Sequence, residues 1–103
     1  MNRIDKCFEE LKKSGSKALI TFITAGDPDM DTTVSTALSM FENGADIIEL
    51  GVPFSDPIAE GVTIQKSSLR SLNGGTTLDK IFGAVDRIRE KTDKPLILMM
   101  YLN

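Results

Sequence analysis

Asp46-Ile47-Ile48-Glu49-Leu50-Gly51-Val52-Pro53-Phe54-Ser55-Asp56-Pro57 is the stretch that decides the fold. Asp46 to Leu50 reads as a short strand. The two prolines after it can continue neither helix nor ladder, so a loop follows. Within the strand, Glu49 is a carboxylate in a run that a buried parallel strand would keep apolar throughout. Side chains alternate along a strand, which puts Ile47 and Glu49 on one face and turns Ile48 and Leu50 toward the other.

Upstream, Ala18 to Thr24 is a second β-rich run, stopped by Ala25-Gly26-Asp27-Pro28. Between the two runs, Asp31-Thr32-Thr33 offers an N-cap, Val34, Ala37, Leu38 and Phe41 share a helical face, and Asn43-Gly44 ends the helix. Before them, Ile4, Cys7, Phe8 and Leu11 predict a leading helix closed at Gly15. Downstream, Val62 to Leu72 is a weaker helix ended by Asn73-Gly74-Gly75. Thr76 or Thr77 then caps a helix with Leu78, Ile81, Phe82, Val85 and Ile88 on one side, and Leu96 to Tyr101 makes the third strand.

Strands alternating with helices indicate βαβ units on a parallel sheet, either an open doubly wound sheet or a barrel. A barrel of about 250 residues needs eight such units, and this chain supplies about two and a half. Its last strand has no following helix to cover it, an awkward end for an independent domain. If the sheet is a barrel, Glu49 faces its interior at the C-terminal mouth. Substrates bind there, and a carboxyl among apolar walls suits proton transfer near neutral pH. The other reading is a Glu paired with an Arg or Lys from a later strand. Position alone does not separate the two.

Composition narrows the function classes. The 103 residues are 41% hydrophobic and 26% charged, the profile of a globular unit rather than a disordered chain. Twelve basic against fifteen acidic residues give a net charge of -3, which supplies no counterion-release drive toward nucleic acid and no polybasic patch for anionic membrane. The longest apolar run, Pro95 to Tyr101, falls far short of the roughly 20 residues that span a bilayer. The N-terminal residues lack the apolar core of a secretion signal, so a cytoplasmic location is expected. Cys7 reads as a small packed hydrophobe. The absence of His removes the commonest general base and transition-metal ligand, so no metal site is expected and acid-base work falls to carboxylates, Lys, Tyr or water.

The literal string is more specific than any of these patterns. Glu49-Leu50-Gly51-Val52-Pro53-Phe54-Ser55-Asp56-Pro57, with Ala59, Glu60, Gly61, Thr63, Ile64 and Gln65 after it, closely resembles the signature of the tryptophan synthase alpha chain family. Thr21-Phe22-Ile23-Thr24-Ala25-Gly26-Asp27-Pro28, Gly44-Ala45-Asp46, Leu69-Arg70 and Met100-Tyr101 extend the likeness over essentially the whole chain. Sharing strand end, loop and helix start at once, the string sets aside other phosphate-sugar barrel enzymes of the same architecture.

The resemblance implies an α/β fold, a partial TIM (β/α)8 barrel. Residues 1–103 would be the N-terminal part of one barrel domain, the first two and a half βα units plus a leading helix. It implies a carbon-carbon lyase of tryptophan biosynthesis, cleaving indole-3-glycerol phosphate by a retro-aldol reaction to indole and glyceraldehyde 3-phosphate. Glu49 would protonate the ring carbon and assist the hydroxyl, and Glu60 would face the indole nitrogen. The family most often has Asp followed by Gly-Pro there, whereas this chain reads Glu60-Gly61-Val62, a carboxylate on a stem one methylene longer. Phe22, Met99 and Tyr101 would line the indole pocket, the last two by shared parity on the third strand. Pro53 and Asp56 would belong to the loop that meets the beta chain in an alpha2-beta2 tetramer. Pyridoxal phosphate is expected only in that partner, and no cofactor in this chain. Barrels of this kind grip phosphate with loops after strands seven and eight. The 103 residues alone are therefore expected to be inactive, or to be a non-catalytic partial barrel that needs a partner or self-association to fold.

Overall fold

In the computed structural model, which describes residues 1–54 and 61–101, the three apolar runs pair as parallel strands in chain order. The elements are α1 (Arg3–Ser14), β1 (Ile20–Thr24), α2 (Met30–Glu42), β2 (Ile47–Gly51), α3 (Val62–Asn73), α4 (Leu78–Arg89) and β3 (Leu96–Met99). The sheet order β1-β2-β3 matches consecutive strands of a barrel, and equally the strands on one side of the point where a doubly wound sheet reverses.

Ile48 and Leu50 are completely buried in the main apolar cluster with Val34, Ala37 and Phe41 of α2 and with Ala84 and Ile88 of α4. Ile23, Leu96 and Leu98 pack against the same cluster from β1 and β3, so α2 and α4 cover one face of the sheet. That is the alternation expected of β2. The opposite face carries Ile20, Phe22 and Met99, which remain 46%, 37% and 46% exposed.

All three strands differ in bounds from the sequence reading: β2 runs one residue later at each end, Ile47–Gly51 rather than Asp46 to Leu50, and β1 and β3 are each shorter at one end. β1 starts at Ile20 rather than Ala18, because the Leu19 N–H donates to the Asp46 carboxylate at 2.8 Å instead of to a ladder carbonyl. β3 ends at Met99 rather than Tyr101. The Val52 N–H donates to the Met99 carbonyl at 2.9 Å, just past Gly51–Met99, the last pair of that ladder.

Helix α2 is capped by Asp29, two residues before the expected Asp31, its carboxylate accepting the Thr32 N–H at 2.7 Å. Its last turn contains no basic residue. Lys94, from the segment before β3, takes that place: its Nζ donates to the Phe41 and Ala45 carbonyls at 3.1 and 3.3 Å. Thr77 caps α4. The buried stripe of α4 is Ile81, Ala84 and Ile88, and Leu78 and Phe82, expected on that face, are exposed. The narrow Ala84 lets α4 lie close to the sheet. On α1, Ile4, Cys7 and Leu11 are half-buried as expected, but Phe8 is exposed.

Candidate active site

Parallel pairing sets Phe22 of β1 and Ile97 of β3 on either side of Glu49, in one row across the sheet. The next row toward the C-terminal ends is Thr24, Gly51 and Met99. Glu49 therefore stands on the face away from α2 and α4, at the end where β2 gives way to its loop, half-buried between two completely buried neighbours in sequence. Among the described residues its carboxylate has no hydrogen bond and no ion pair. Among the described residues no Lys or Arg plays the structural counter-ion.

Gly51 is a site residue that sequence reasoning passed over as a loop starter. A Cβ built there would lie 2.5 Å from Cζ of Phe22, so the phenyl ring rests against the bare glycine backbone one row above Glu49. The available signal was parity: Gly51 lies two residues beyond Glu49 on the same face, where a missing side chain leaves room for a neighbour.

Phe22 and Met99 thus share a face with Glu49, as expected. Tyr101 is placed differently. It lies beyond the end of β3, and its ring stacks on Phe54 with centroids 4.7 Å apart and planes at 27°. It is tied to the loop after β2, and strand parity does not set its direction. Phe54 was not singled out from the sequence. Pro53 is half-buried in the same loop. Asp56 and Glu60 lie outside the described residues.

The helix that follows this loop docks on the mouth of β1 through hydroxyls. The buried residues of α3 are Ser67, Ser68 and Ser71. Thr24 and Ser67 share a hydrogen bond of 2.7 Å, and the Ser71 hydroxyl donates to the Ala25 carbonyl at 2.6 Å and lies 2.7 Å from the Thr76 hydroxyl. Arg70 donates through Nε and an Nη to both carboxylate oxygens of Asp27, each at 2.9 Å. That fork raises the Arg70 pKa above its ordinary value. Gly26, at φ 82°, leaves the space that Ser71 and Thr76 fill. Where β1, α2 and α3 meet, a cavity of about 280 Å³ is bordered by Phe22, Thr24, Asp27, Thr63, Ser67 and Arg70. A larger cleft of about 700 Å³ lies at the other end of the strands, between α1 and Asp46, Lys94 and Pro95, away from Glu49. Burial, then the nearby Asp46 and Glu10 charges, push the Cys7 thiol beside it above its ordinary pKa, which suits a packed side chain rather than a nucleophile.

Comparison with known proteins gives a consistent answer. The family model described as tryptophan synthase alpha chain matches residues 8–103. A tryptophan synthase alpha chain of Caldanaerobacter subterraneus subsp. tengcongensis is 59% identical over all 103 residues, which make up 39% of its length. Among solved structures, tryptophan synthase subunit alpha from Legionella pneumophila superposes on the whole chain with a TM-score of 0.97 at 46% identity, and 40% of that subunit is covered. A chain of the tryptophan synthase α2β2 complex from the hyperthermophile Pyrococcus furiosus matches 84% of this chain with a TM-score of 0.79 at 45% identity, 36% of its own length being covered. The chain spans about two fifths of the length of these relatives, and its three parallel strands and their helices are part of a (β/α)8 barrel. It belongs to the tryptophan synthase alpha chain family.

Proposed function

We propose that this chain is the N-terminal part of a single barrel domain and carries the proton-transfer half of a lyase site that cleaves indole-3-glycerol phosphate to indole and glyceraldehyde 3-phosphate. The observation that carries the reading is Glu49, a half-buried carboxylate on the inner face of β2 with no partner among the described residues, in the row of Phe22 and Ile97. Its place at the C-terminal mouth of the strand, where barrels of this kind bind substrate, supports that reading.

In the retro-aldol step, protonated Glu49 gives its proton to carbon three of the indole, leaving positive charge at the ring nitrogen. Glu60 faces that nitrogen and stabilises the charge. The Glu49 carboxylate then takes the proton of the side-chain hydroxyl. The oxygen lone pair forms the aldehyde as the bond to carbon three breaks, and its electrons return to the ring and neutralise the nitrogen. Phe22, Met99 and Tyr101 offer apolar and aromatic surface to the flat indole, and the Phe54–Tyr101 stack couples the third strand to the loop that bears Glu60. The longer stem of Glu60 asks for an adjusted loop, since a misplacement of about 1 Å costs on the order of a hundredfold in rate.

The loop with Pro53 and Asp56 faces a beta chain in this reading, and that partner holds the pyridoxal phosphate and consumes the indole. The Pyrococcus furiosus relative is part of an α2β2 complex, which supports such a partner. The phosphate grip belongs to later strands of the barrel, so the 103 residues alone release no indole. The test is an indole-release assay on a complete alpha chain containing this segment with Glu49→Gln. A loss of activity of a hundredfold or more is expected for removal of the acid-base group. Retention of most activity would remove Glu49 from the chemistry.

A further inference from the structure

Backbone conformation does not explain the glycine at position 51. Gly51 is not one of the glycines with positive φ, so any residue can adopt its conformation, and a glycine inside a strand weakens it. What the position lacks is space. A Cβ there would lie 2.5 Å from Cζ and 3.0 Å from Cε2 of Phe22. The backbone of Phe22 is level with Glu49, so its ring crosses diagonally to the next row toward the mouth and lies on the bare backbone of β2.

The strand is not free to retreat from that contact. On one side the Gly51 carbonyl accepts the Ala25 N–H at 2.9 Å, and on the other the Val52 N–H donates to the Met99 carbonyl at 2.9 Å. Gly51 is buried between these two ladders, whereas Phe22 remains 37% exposed on the face that carries Glu49. Of the two, the ring is the part that moves. Relieving a contact with β2 takes it off the strand and into the space beside Glu49.

We propose that Gly51 is a positioning residue of the site: by seating the Phe22 ring against β2, it sets the room that a flat aromatic substrate has beside Glu49. This deepens the lyase reading and rests on it, the occupant being the indole ring system. Gly51 touches no reacting atom and acts through Phe22. One added methyl group at position 51 would push the phenyl ring into the volume that the indole needs, while Glu49 keeps its place on the strand.

The experiment uses a complete alpha chain containing this segment, with indole-3-glycerol phosphate for turnover and indole, read by calorimetry, for binding. Gly51→Ala should raise KM for the substrate and Kd for indole together by about tenfold or more, the scale of one methylene in an apolar pocket, while kcat changes by less than about threefold. Adding Phe22→Leu, which withdraws the ring tip, should recover most of the lost indole affinity, and this double variant must fold and bind indole even if Gly51→Ala alone does not. Native indole affinity in Gly51→Ala would overturn the proposal, as would a fall in kcat at unchanged KM, or a double variant that binds indole no better than Gly51→Ala. Indole binding does not depend on turnover. If the native chain binds indole but leaves the substrate intact, the lyase reading fails, and the two variants still report whether Gly51 seats the ring.

Discussion

A hydrogen atom in place of a methyl group at position 51 is what lets the Phe22 ring lie beside Glu49. Gly51→Ala would drive Cβ into Cζ of that ring, and either β2 or the ring must give way, at about 1–3 kcal/mol. Urea unfolding should show the cost, and adding Phe22→Leu, which withdraws the ring tip, should recover much of it. A midpoint unmoved by Gly51→Ala would mean that the ring does not rest there. Glu49 itself was legible from the sequence, since a charge inside an apolar run is conspicuous whatever the fold. Its pairing with Phe22 and the glycine above them were not, because strand register is a property of two segments and is invisible in either one. Asp29 gives a residue-scale pH dependence. The Thr32 backbone N–H holds its carboxyl below the ordinary pKa of 3.8. The folded value is thus the lower one, so this contribution to stability is fully present above the unfolded value and is lost as pH falls through the folded value. Asp29→Asn retains an acceptor oxygen and does not titrate. On acidification below about pH 4, the native chain should lose stability relative to Asp29→Asn. Parallel acid-unfolding curves for the two would rule out this contribution.

Among the elements, α3 is held differently from its neighbours. α2 and α4 bury Val34, Phe41, Ile81 and Ile88, whereas α3 buries three serines and leaves Val62 and Leu69 exposed. This explains why α3 was the weaker reading from sequence: a helix docked through hydroxyls has little apolar periodicity to detect, and its attachment appears only once the Ala25 carbonyl and the Thr24 hydroxyl are in place. It also ranks the attachments. Ser71 is fully buried, and Ser71→Ala would strand the Ala25 carbonyl and the Thr76 hydroxyl, at about 1–3 kcal/mol. The Arg70–Asp27 fork is better aligned, but more than half of the Arg70 side chain is in solvent, where an ion pair contributes little. Amide hydrogen exchange should therefore speed up across α3 in Ser71→Ala while α4 stays protected, and Arg70→Ala should have the smaller effect. The reverse order would make the ion pair the principal tie. Since α3 follows directly on the loop with Glu60, its docking sets where that loop must end.

At the scale of the whole molecule, alternating strands and helices were enough to read a parallel α/β sheet, but not to choose between a barrel and an open sheet. That choice came from the family string around Glu49 and from the superposition on the Legionella pneumophila subunit, since three consecutive parallel strands with helices on one face begin an open sheet as well as a barrel. The same layering predicts where stability resides. Most of the large buried apolar residues lie between β2 and the α2–α4 layer, with Ile48 and Leu50 at the centre. Helix α1 contributes none, although its caps are well formed, with Asn2 accepting the Asp5 N–H and Gly15 closing the last turn at φ 71°. Its side-chain ties to the body are a Cys7 Sγ to Asp46 carbonyl contact of 3.9 Å and an exposed Arg3–Asp93 pair at the same distance. Local capping makes α1 a helix without fastening it to the fold. Ile48→Ala should cost about 2–5 kcal/mol, since the completely buried side chain leaves a cavity between two helices that cannot both move in. Starting the chain at Lys17, which removes α1 entirely, should cost less than that single substitution. Urea unfolding of the three forms decides the order. If removal of α1 proved the more damaging change, the half-buried face of Ile4, Cys7 and Leu11 would be closing off the N-terminal end of the core, and the stability of the sheet would depend on both of its ends rather than on one of its faces.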